Sequence, residues 1–228
     1  MNLAVIGSGG REHAICFKLK LSPKLNKLIC IPGNAGTEAI AKNIKIDISN
    51  FEAIYKIVEE EKIDIVIIGP EQPLVDGLVD YLNNKNVKVF GPNKFASQLE
   101  GSKVFMKNFC KVNNIPTASF GVFNNFNDAS NFIEKNNMPI VVKADGLASG
   151  KGVYICNTKA EALKNTKEIL EGKFKSSSKV VLEEFLQGEE LSYFVIVDQK
   201  SYKFFGAAQD HKRVGEGDTG LNTGGMGA

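Results

Sequence analysis

Over its first ninety residues the chain alternates short apolar runs with longer amphipathic stretches, a rhythm that few folds can satisfy. NLAVI (2–6) ends at Gly7, and REHAICFKLKL (11–21) carries apolar residues at helical spacing. KLICI (27–31), FEAIYKIVEEEK (51–62), IDIVIIG (63–69), LVDGLVDYLNN (74–84) and VKVFG (87–91) continue the pattern. Strand and helix in strict alternation predict a doubly wound parallel α/β sheet. Near residue 100 the rhythm changes. SKVFMKNFCKV (102–112) reads as an amphipathic helix and Pro116 punctuates the start of a second unit. That unit is expected to hold an extended stretch around Phe120, a helix near 127–137, a strand containing Lys143, a glycine hairpin, a helix over 158–171 and a strand over 179–185. LSYFVIVD and SYKFFGAA then read as an antiparallel pair, and DHKRVGEGDTGLNTGGMGA as a nearly structureless tail.

Composition removes several classes of function. A net charge of +2 over 228 residues gives no electrostatic support for nucleic acid or a membrane surface. Met1 leads straight into a strand, without a cationic leader, and no apolar run approaches the length of a membrane span, so a cytosolic protein is expected. Cys16, Cys30, Cys110 and Cys156 stand far apart with no Cys-x-x-Cys pair, as reduced core residues would. Only two residues are Arg, Arg11 and Arg213, and the two histidines, His13 and His211, lie two residues from them. Where Lys fills nearly every other basic position, Arg marks places that need a planar fork of donors.

Three loops carry candidate chemistry. VVKADGLASGKGVYI (141–155) sets Lys143 in an apolar strand and Lys151 among glycines. It is not a Walker loop: three residues separate Gly146 from Gly150, Gly152 stands where a hydroxyl should follow the lysine, and the next residues are strand formers. A glycine hairpin beside a strand lysine is the layout of a mobile phosphate cover, although such a hairpin is also an ordinary turn. GSGGREH (7–13) joins the first strand to the first helix, where N–H groups and the helix dipole favour a phosphate. Glu12 takes the place of the third glycine of a dinucleotide fingerprint, and the second strand ends without an acid, so a monophosphate held by Gly9, Gly10 and Arg11 fits better than NAD. Glu71, in GPEQPL at the same sheet edge, can meet that ligand or stay solvated. In VVLEEFLQGEELSYF, Glu183 can accept from an adenine amino group and Glu190 from ribose hydroxyls, while the main chain at Glu184 and Leu186 reads the ring edge; a charged surface strand is the alternative.

In order, GSGGREHA, PGNAGT, GPEQPLVDGL, GPNKFASQLEGSK, IVVKADGLASGKGV, VLEEFLQGEELS and QDHKRVGEGDTGLNTGGMGA resemble the phosphoribosylamine–glycine ligase (glycinamide ribonucleotide synthetase) family of the ATP-grasp superfamily, over essentially the whole chain. The resemblance implies a parallel-sheet α/β domain with a linker helix (1–118), an α+β ATP-grasp lid (119–188) and the start of an antiparallel central domain (189–228). It implies that Lys103 and Lys143 bind nucleotide phosphates under the cover 146–152, including Gly146, Gly150, Lys151 and Gly152. Glu183, Glu184, Leu186 and Glu190 match adenine and ribose positions. Gly9, Gly10, Arg11 and Glu71 would hold the sugar phosphate, and Asp210 with the Asn222–Gly227 loop, including Gly224 and Gly225, would border glycine and the amine.

The implied reaction joins glycine and 5-phosphoribosylamine at the expense of ATP, through a glycyl phosphate, and needs positioning and charge neutralisation more than a protein nucleophile. The family's Mg²⁺ (or Mn²⁺) ligands, a Glu and an Asn on a later strand, lie past residue 228, so no metal ligand is expected here. The expectation is an inactive, weakly nucleotide-binding portion, monomeric, with disorder from about Gly215. The competing readings are a nucleotide-binding module without turnover and an ATP-grasp ligase for another acid; QDHKR and NTGGMGA argue against the latter.

Overall fold

The computed structural model describes residues 1–147, 152–174, 178–198, 200–217 and 219–222, with residues 221 and 222 as backbone alone. The chain opens with β1 (Asn2–Gly7), α1 (Gly10–Lys20), β2 (Lys27–Pro32), α2 (Ala35–Glu38), β3 (Lys42–Asn43), α3 (Phe51–Glu60), β4 (Ile65–Ile68), α4 (Glu71–Asp76), α5 (Leu78–Asn83) and β5 (Lys88–Phe90). These five strands form one parallel sheet in the order β3-β2-β1-β4-β5. The strands are apolar because helices cover both faces. Ala4 and Ile6 of β1 pack with Ile29, Ile31, Ile54 and Leu78 on one side, whereas Leu3 and Val5 pack with Cys16, Leu28 and Cys30 on the other. The winding reverses between β1 and β4, whose carboxyl ends therefore flank the crevice where such sheets bind ligands.

Two short elements, α2 and β3, were not expected. The stretch 74–84, read as one helix, is broken in two: Gly77 adopts φ +101°, and the chain turns there between α4 and α5. Cys16 and Cys30, distant in sequence, meet where α1 packs on β2. A hydrogen bond between the two thiols, with burial, pushes Cys16 well above the ordinary thiol value.

α6 (Gln98–Gly101) and α7 (Lys103–Val112) lead to a second unit of β6 (Phe120–Phe123), α8 (Phe126–Lys135), β7 (Ile140–Ala144), β8 (Val153–Cys156), α9 (Lys159–Leu170) and β9 (Val180–Glu184). Its strands pair antiparallel in the order β6-β9-β7-β8. Asn125 and Thr158 cap α8 and α9 by accepting from backbone N–H groups one turn on. Both helices pack on one face of this sheet, where Ala129, Ile133, Ala162 and Ile169 meet Ile140, Val142, Ala144, Val180 and Leu182. By the two-residue alternation of strands, Val141, Lys143, Val181 and Glu183 belong to the opposite face.

β10 (Ser192–Val197) and β11 (Tyr202–Ala208) form the expected hairpin. The described residues of the tail are more ordered than its composition predicts: β12 (Arg213–Gly215) pairs antiparallel with β13 (Thr219–Asn222). Gly217 and Gly220 adopt positive φ, and Arg213 Nη1 donates to Gly220 O at 2.9 Å, so glycine here makes a tight hairpin instead of a loose coil. Among the described residues no helix is long and apolar enough to cross a membrane.

Candidate functional site

At the carboxyl edge of the parallel sheet, Gly10 starts α1 and Glu12 reaches back to accept from Gly9 N at 2.6 Å. The Glu12 side chain is buried and occupies the crevice between β1 and β4. A Cβ on Gly7 would approach Glu12 to 2.6 Å, and one on Gly69 would collide with Glu12 Oε1. The two glycines are therefore spaces for this carboxylate. Gly10, by contrast, has nothing within 4 Å of an added Cβ. Arg11 and Glu71, expected at the same edge, come together: Nη1 donates to Oε1 at 2.9 Å, with 59% and 41% of the side chains exposed. Glu71 is the first residue of α4 and not a loop residue. Burial pushes its carboxyl up, but its own backbone N–H and the Arg11 guanidinium outweigh this and hold it below the ordinary value.

PGNAGT, which had no residue-level role in the sequence reading, braces this edge. Asn34 caps α2 by accepting from Thr37 N at 2.9 Å, and its Nδ2 donates to Ser8 O at 2.8 Å and Gly9 O at 3.2 Å. Asn43 Nδ2 donates in turn to Asn34 O at 2.8 Å. An Asn between Pro-Gly and Ala-Gly reads as a turn residue, so nothing local marks Asn34 as the residue that fixes the glycine loop.

The second group of charges lies on the face of the antiparallel sheet opposite α8 and α9, where α7 brings its lysines. Ser102 caps α7 by accepting from Phe105 N, and it donates to Asp145 Oδ1 at 3.1 Å, which also accepts from Val104 N at 3.2 Å. Asp145 follows β7, so it ties the start of α7 to the end of that strand. Lys103 Nζ donates to Gly146 O at 2.9 Å, within the cover loop. Burial, opposed by Asp145 and Glu100, holds the Lys103 ammonium below the ordinary lysine value. Gly152 O accepts from Ala144 N at 2.8 Å and closes the base of the hairpin.

The register of β7 on β9 sets Val141 opposite Glu183, so Lys143 is the diagonal neighbour of Glu183 on the same face. Lys143 Nζ donates to Glu183 Oε2 at 3.0 Å. Within the protein, Glu183 thus supplies an anionic partner for this strand lysine. A second ammonium, Lys107 Nζ, meets the same Oε2 at 2.9 Å. The other oxygen, Glu183 Oε1, is buried without a hydrogen-bond partner. A buried acceptor of this kind suits a ligand that brings an N–H donor, and two nearby lysines suit its phosphates. Lys107 was missed because one lysine in an amphipathic helix reads as solvated; its spacing one turn after Lys103 was the available signal.

The remaining expected residues divide. Glu184 Oε1 accepts from Ser119 N at 2.9 Å, which ties β9 to the segment before β6. Leu186 is exposed. Glu190 and Asp210 are brought together by Lys212, at 3.0 Å and 2.7 Å, and the hydrogen bonds it donates, to Asp210 first and Glu190 second, raise the Lys212 ammonium above its ordinary value. Gly150, Lys151, Gly224, Gly225 and the Asn222 side chain lie outside the described residues. Among the described residues no group of three or more His, Cys, Asp or Glu could hold a metal ion.

Comparison with known proteins identifies relatives over the whole chain. Residues 1–100 match the family model described as phosphoribosylglycinamide synthetase, N domain, and residues 101–228 match its ATP-grasp (A) domain. The chain is 50% identical to the phosphoribosylamine–glycine ligase of Mesorhizobium japonicum and 51% identical to that of Brucella melitensis, each over 100% of this chain and 54% of the relative. It thus spans about half the length of these curated relatives. The crystal structure of phosphoribosylamine–glycine ligase from Thermotoga maritima superposes with a TM-score of 0.84 at 35% identity, over 99% of this chain and 54% of that one. N5-carboxyaminoimidazole ribonucleotide synthetase from Thermus thermophilus shares the fold, with a TM-score of 0.68 at 17% identity over 91% of this chain and 54% of that one. With both domain models matched in sequence order across its whole length, the chain belongs to the phosphoribosylglycinamide synthetase family.

Proposed function

We propose that this chain forms the sugar-phosphate and nucleotide portion of an ATP-dependent ligase that joins glycine to 5-phosphoribosylamine. The products are glycinamide ribonucleotide, ADP and phosphate, with glycine activated as a glycyl phosphate. The observation that carries this reading is the convergence of Lys103, Lys143 and the unpartnered Glu183 Oε1 on one face of the antiparallel sheet. Glu183 accepts from the adenine amino group, the main chain at Glu184 and Leu186 reads the ring edge, and Glu190 accepts from the ribose hydroxyls. Lys103 and Lys143 neutralise phosphate oxygens beneath the cover that contains Gly146, Gly150, Lys151 and Gly152. At the other end, Gly9, Gly10 and Arg11, braced by Glu12 and Asn34, hold the sugar phosphate with Glu71 beside them. Asp210, Asn222, Gly224 and Gly225 border the glycine and amine pocket.

The parts of the chain are read as 1–118, 119–188 and 189–228, and the protein as a cytoplasmic monomer without nucleic-acid or membrane partners. Mg²⁺ or Mn²⁺, when bound, would supply charge neutralisation for the nucleotide phosphates. The described residues offer no donor set for it, so no step by these residues is assigned to the metal. The work of the chain's own groups is positioning and charge compensation. The test is glycine-dependent ADP release in the presence of phosphoribosylamine, with bicarbonate as the alternative acid, on this chain and on the chain continued to the length of its relatives. Glycine-dependent release by the longer protein, with weak or absent turnover by the 228-residue chain, is expected. Release driven by bicarbonate alone would overturn the assignment of substrate.

A further inference from the structure

The nucleotide reading uses Lys103 and Lys143 and leaves Lys107 without a role, although Lys107 is the most deeply buried of the three. Only 3% of its side chain is exposed, against 25% for Lys143. An ammonium has three N–H donors, and those of Lys107 find three acceptors: Glu183 Oε2 at 2.9 Å, Thr117 Oγ1 at 2.8 Å and Ala118 O at 3.3 Å. Its Nζ also lies 5.5 Å from the Phe120 ring centroid, and Phe120 is the residue opposite Glu183 on β6. Lys107 is therefore fully engaged and tied to α7, β9 and the segment before β6 at once.

We infer that Lys107 is a positioning and specificity residue for the nucleotide: by holding Oε2 it keeps Glu183 Oε1 in place as an acceptor when Lys143 turns from Glu183 to a phosphate oxygen. The inference rests on this face being the nucleotide site. Both ammoniums share one oxygen of a carboxylate whose side chain is 5% exposed. If Lys143 left and Lys107 were absent, Oε2 would be stranded in the interior without a partner, and nothing would fix the carboxylate with Oε1 turned to the base. Held in place, a carboxylate oxygen accepts, so it favours a purine with an amino group at position 6 and opposes one with a carbonyl there. Lys107, which touches no part of the nucleotide in this reading, thereby sets the choice between 6-amino and 6-oxo bases.

The test uses the 228-residue chain and titrates ADP and inosine diphosphate into wild type, Lys107→Met, Lys107→Arg, Glu183→Gln and the Lys107→Met/Glu183→Gln double variant. Circular dichroism and urea midpoints are measured on each without nucleotide. Lys107→Met is expected to weaken ADP by about tenfold, the size of a lost charged interaction, and to weaken inosine diphosphate less, so that the ratio of the two affinities falls. Lys107→Arg should recover most of that ratio. The double variant should bind ADP no worse than Glu183→Gln alone, and its urea midpoint should drop by less than the sum of the single changes. Should Lys107→Met fail to fold, Thr117→Val removes one acceptor from Lys107 and should shift the ratio the same way by less. A folded variant of either kind with an unchanged ADP to inosine diphosphate ratio overturns the inference, as does strict additivity of the midpoints. A wild-type chain that binds neither diphosphate overturns the nucleotide reading and the specificity role built on it; non-additive midpoints would then still show Lys107 holding Glu183, which separates that failure from a failure of the pairing itself.

Discussion

Among the described residues, two of the cation–carboxylate groups at the candidate site, Arg11–Glu71 and Lys107–Glu183–Lys143, differ mainly in burial. Arg11 and Glu71 pair at 2.9 Å with about half of each side chain in water, whereas Lys107, Glu183 and Lys143 meet within 3.0 Å with Glu183 and Lys107 almost wholly enclosed. In water such a pair adds little stability and rearranges cheaply, so Arg11 can turn to an anion and leave Glu71 to solvent. In the interior each charge depends on the others, and removing one strands the rest. One group is an adaptable rim, and the other is a preset cluster in which only the more exposed member, Lys143, is free to change partners.

Stability measurements offer the widest separation. Glu183→Gln should cost about 3–5 kcal/mol in urea unfolding, because Lys107 loses its anion in a closed site, while Glu71→Gln should cost at most about 1 kcal/mol. Equal effects would break the comparison. In nucleotide titrations, Lys143→Ala should lose about 1.5–3 kcal/mol of ATP binding and Lys151→Ala less, since Lys143 is held on β7 beside Glu183. Equal losses would shift the phosphate anchor to the cover. The exposed pair itself rests on a buried carboxylate, Glu12. Gly69→Ala, which drives a Cβ into Glu12, should destabilise by about 1–3 kcal/mol, whereas Gly10→Ala, with open space and a helical position, should be within about 0.5 kcal/mol of wild type.

The smallest effect concerns pH. The folded Glu71 carboxyl sits below its ordinary value of 4.5, so its contribution is complete above that pH and disappears as pH falls below it through the folded value. Glu71→Gln should remove a slight, salt-sensitive part of the stability slope in that window, so that its small loss of stability is present at neutral pH and vanishes at the acid end. Urea midpoints between pH 5 and pH 3 at low and high salt would show it.

The parallel sheet was legible because its strands are apolar on both faces: Leu3 to Ile6 form an unbroken run that alternates between two cores. Positions set by pairing between distant strands were less so. That Glu183 would meet Lys143 follows from the register of β7 on β9, which a single sequence does not print. The burial of Lys107 was hidden for the same reason, since it depends on where α7 lies against the sheet, although its place one turn after Lys103 was legible. Gly69 read as the end of a strand, and its need for hydrogen in place of a side chain appears only once Glu12 is seen against it. The tail misled in the other direction: glycine content suggested coil, but Gly217 and Gly220 supply the positive φ that the β12–β13 hairpin uses. Phe205, Tyr202 and Tyr193, on the β10–β11 hairpin, are each more than half exposed, and their apolar pattern announced strands without showing which surface they would cover.

The most direct test of the account is a crossed pair of titrations. ADP and ribose 5-phosphate are each titrated into wild type, Arg11→Lys and Lys143→Ala. Two separate ends of one site predict that Arg11→Lys weakens ribose 5-phosphate and leaves ADP unchanged, and that Lys143→Ala weakens ADP and leaves ribose 5-phosphate unchanged. Loss of both ligands in either variant, or an exchange of the two effects, would contradict it.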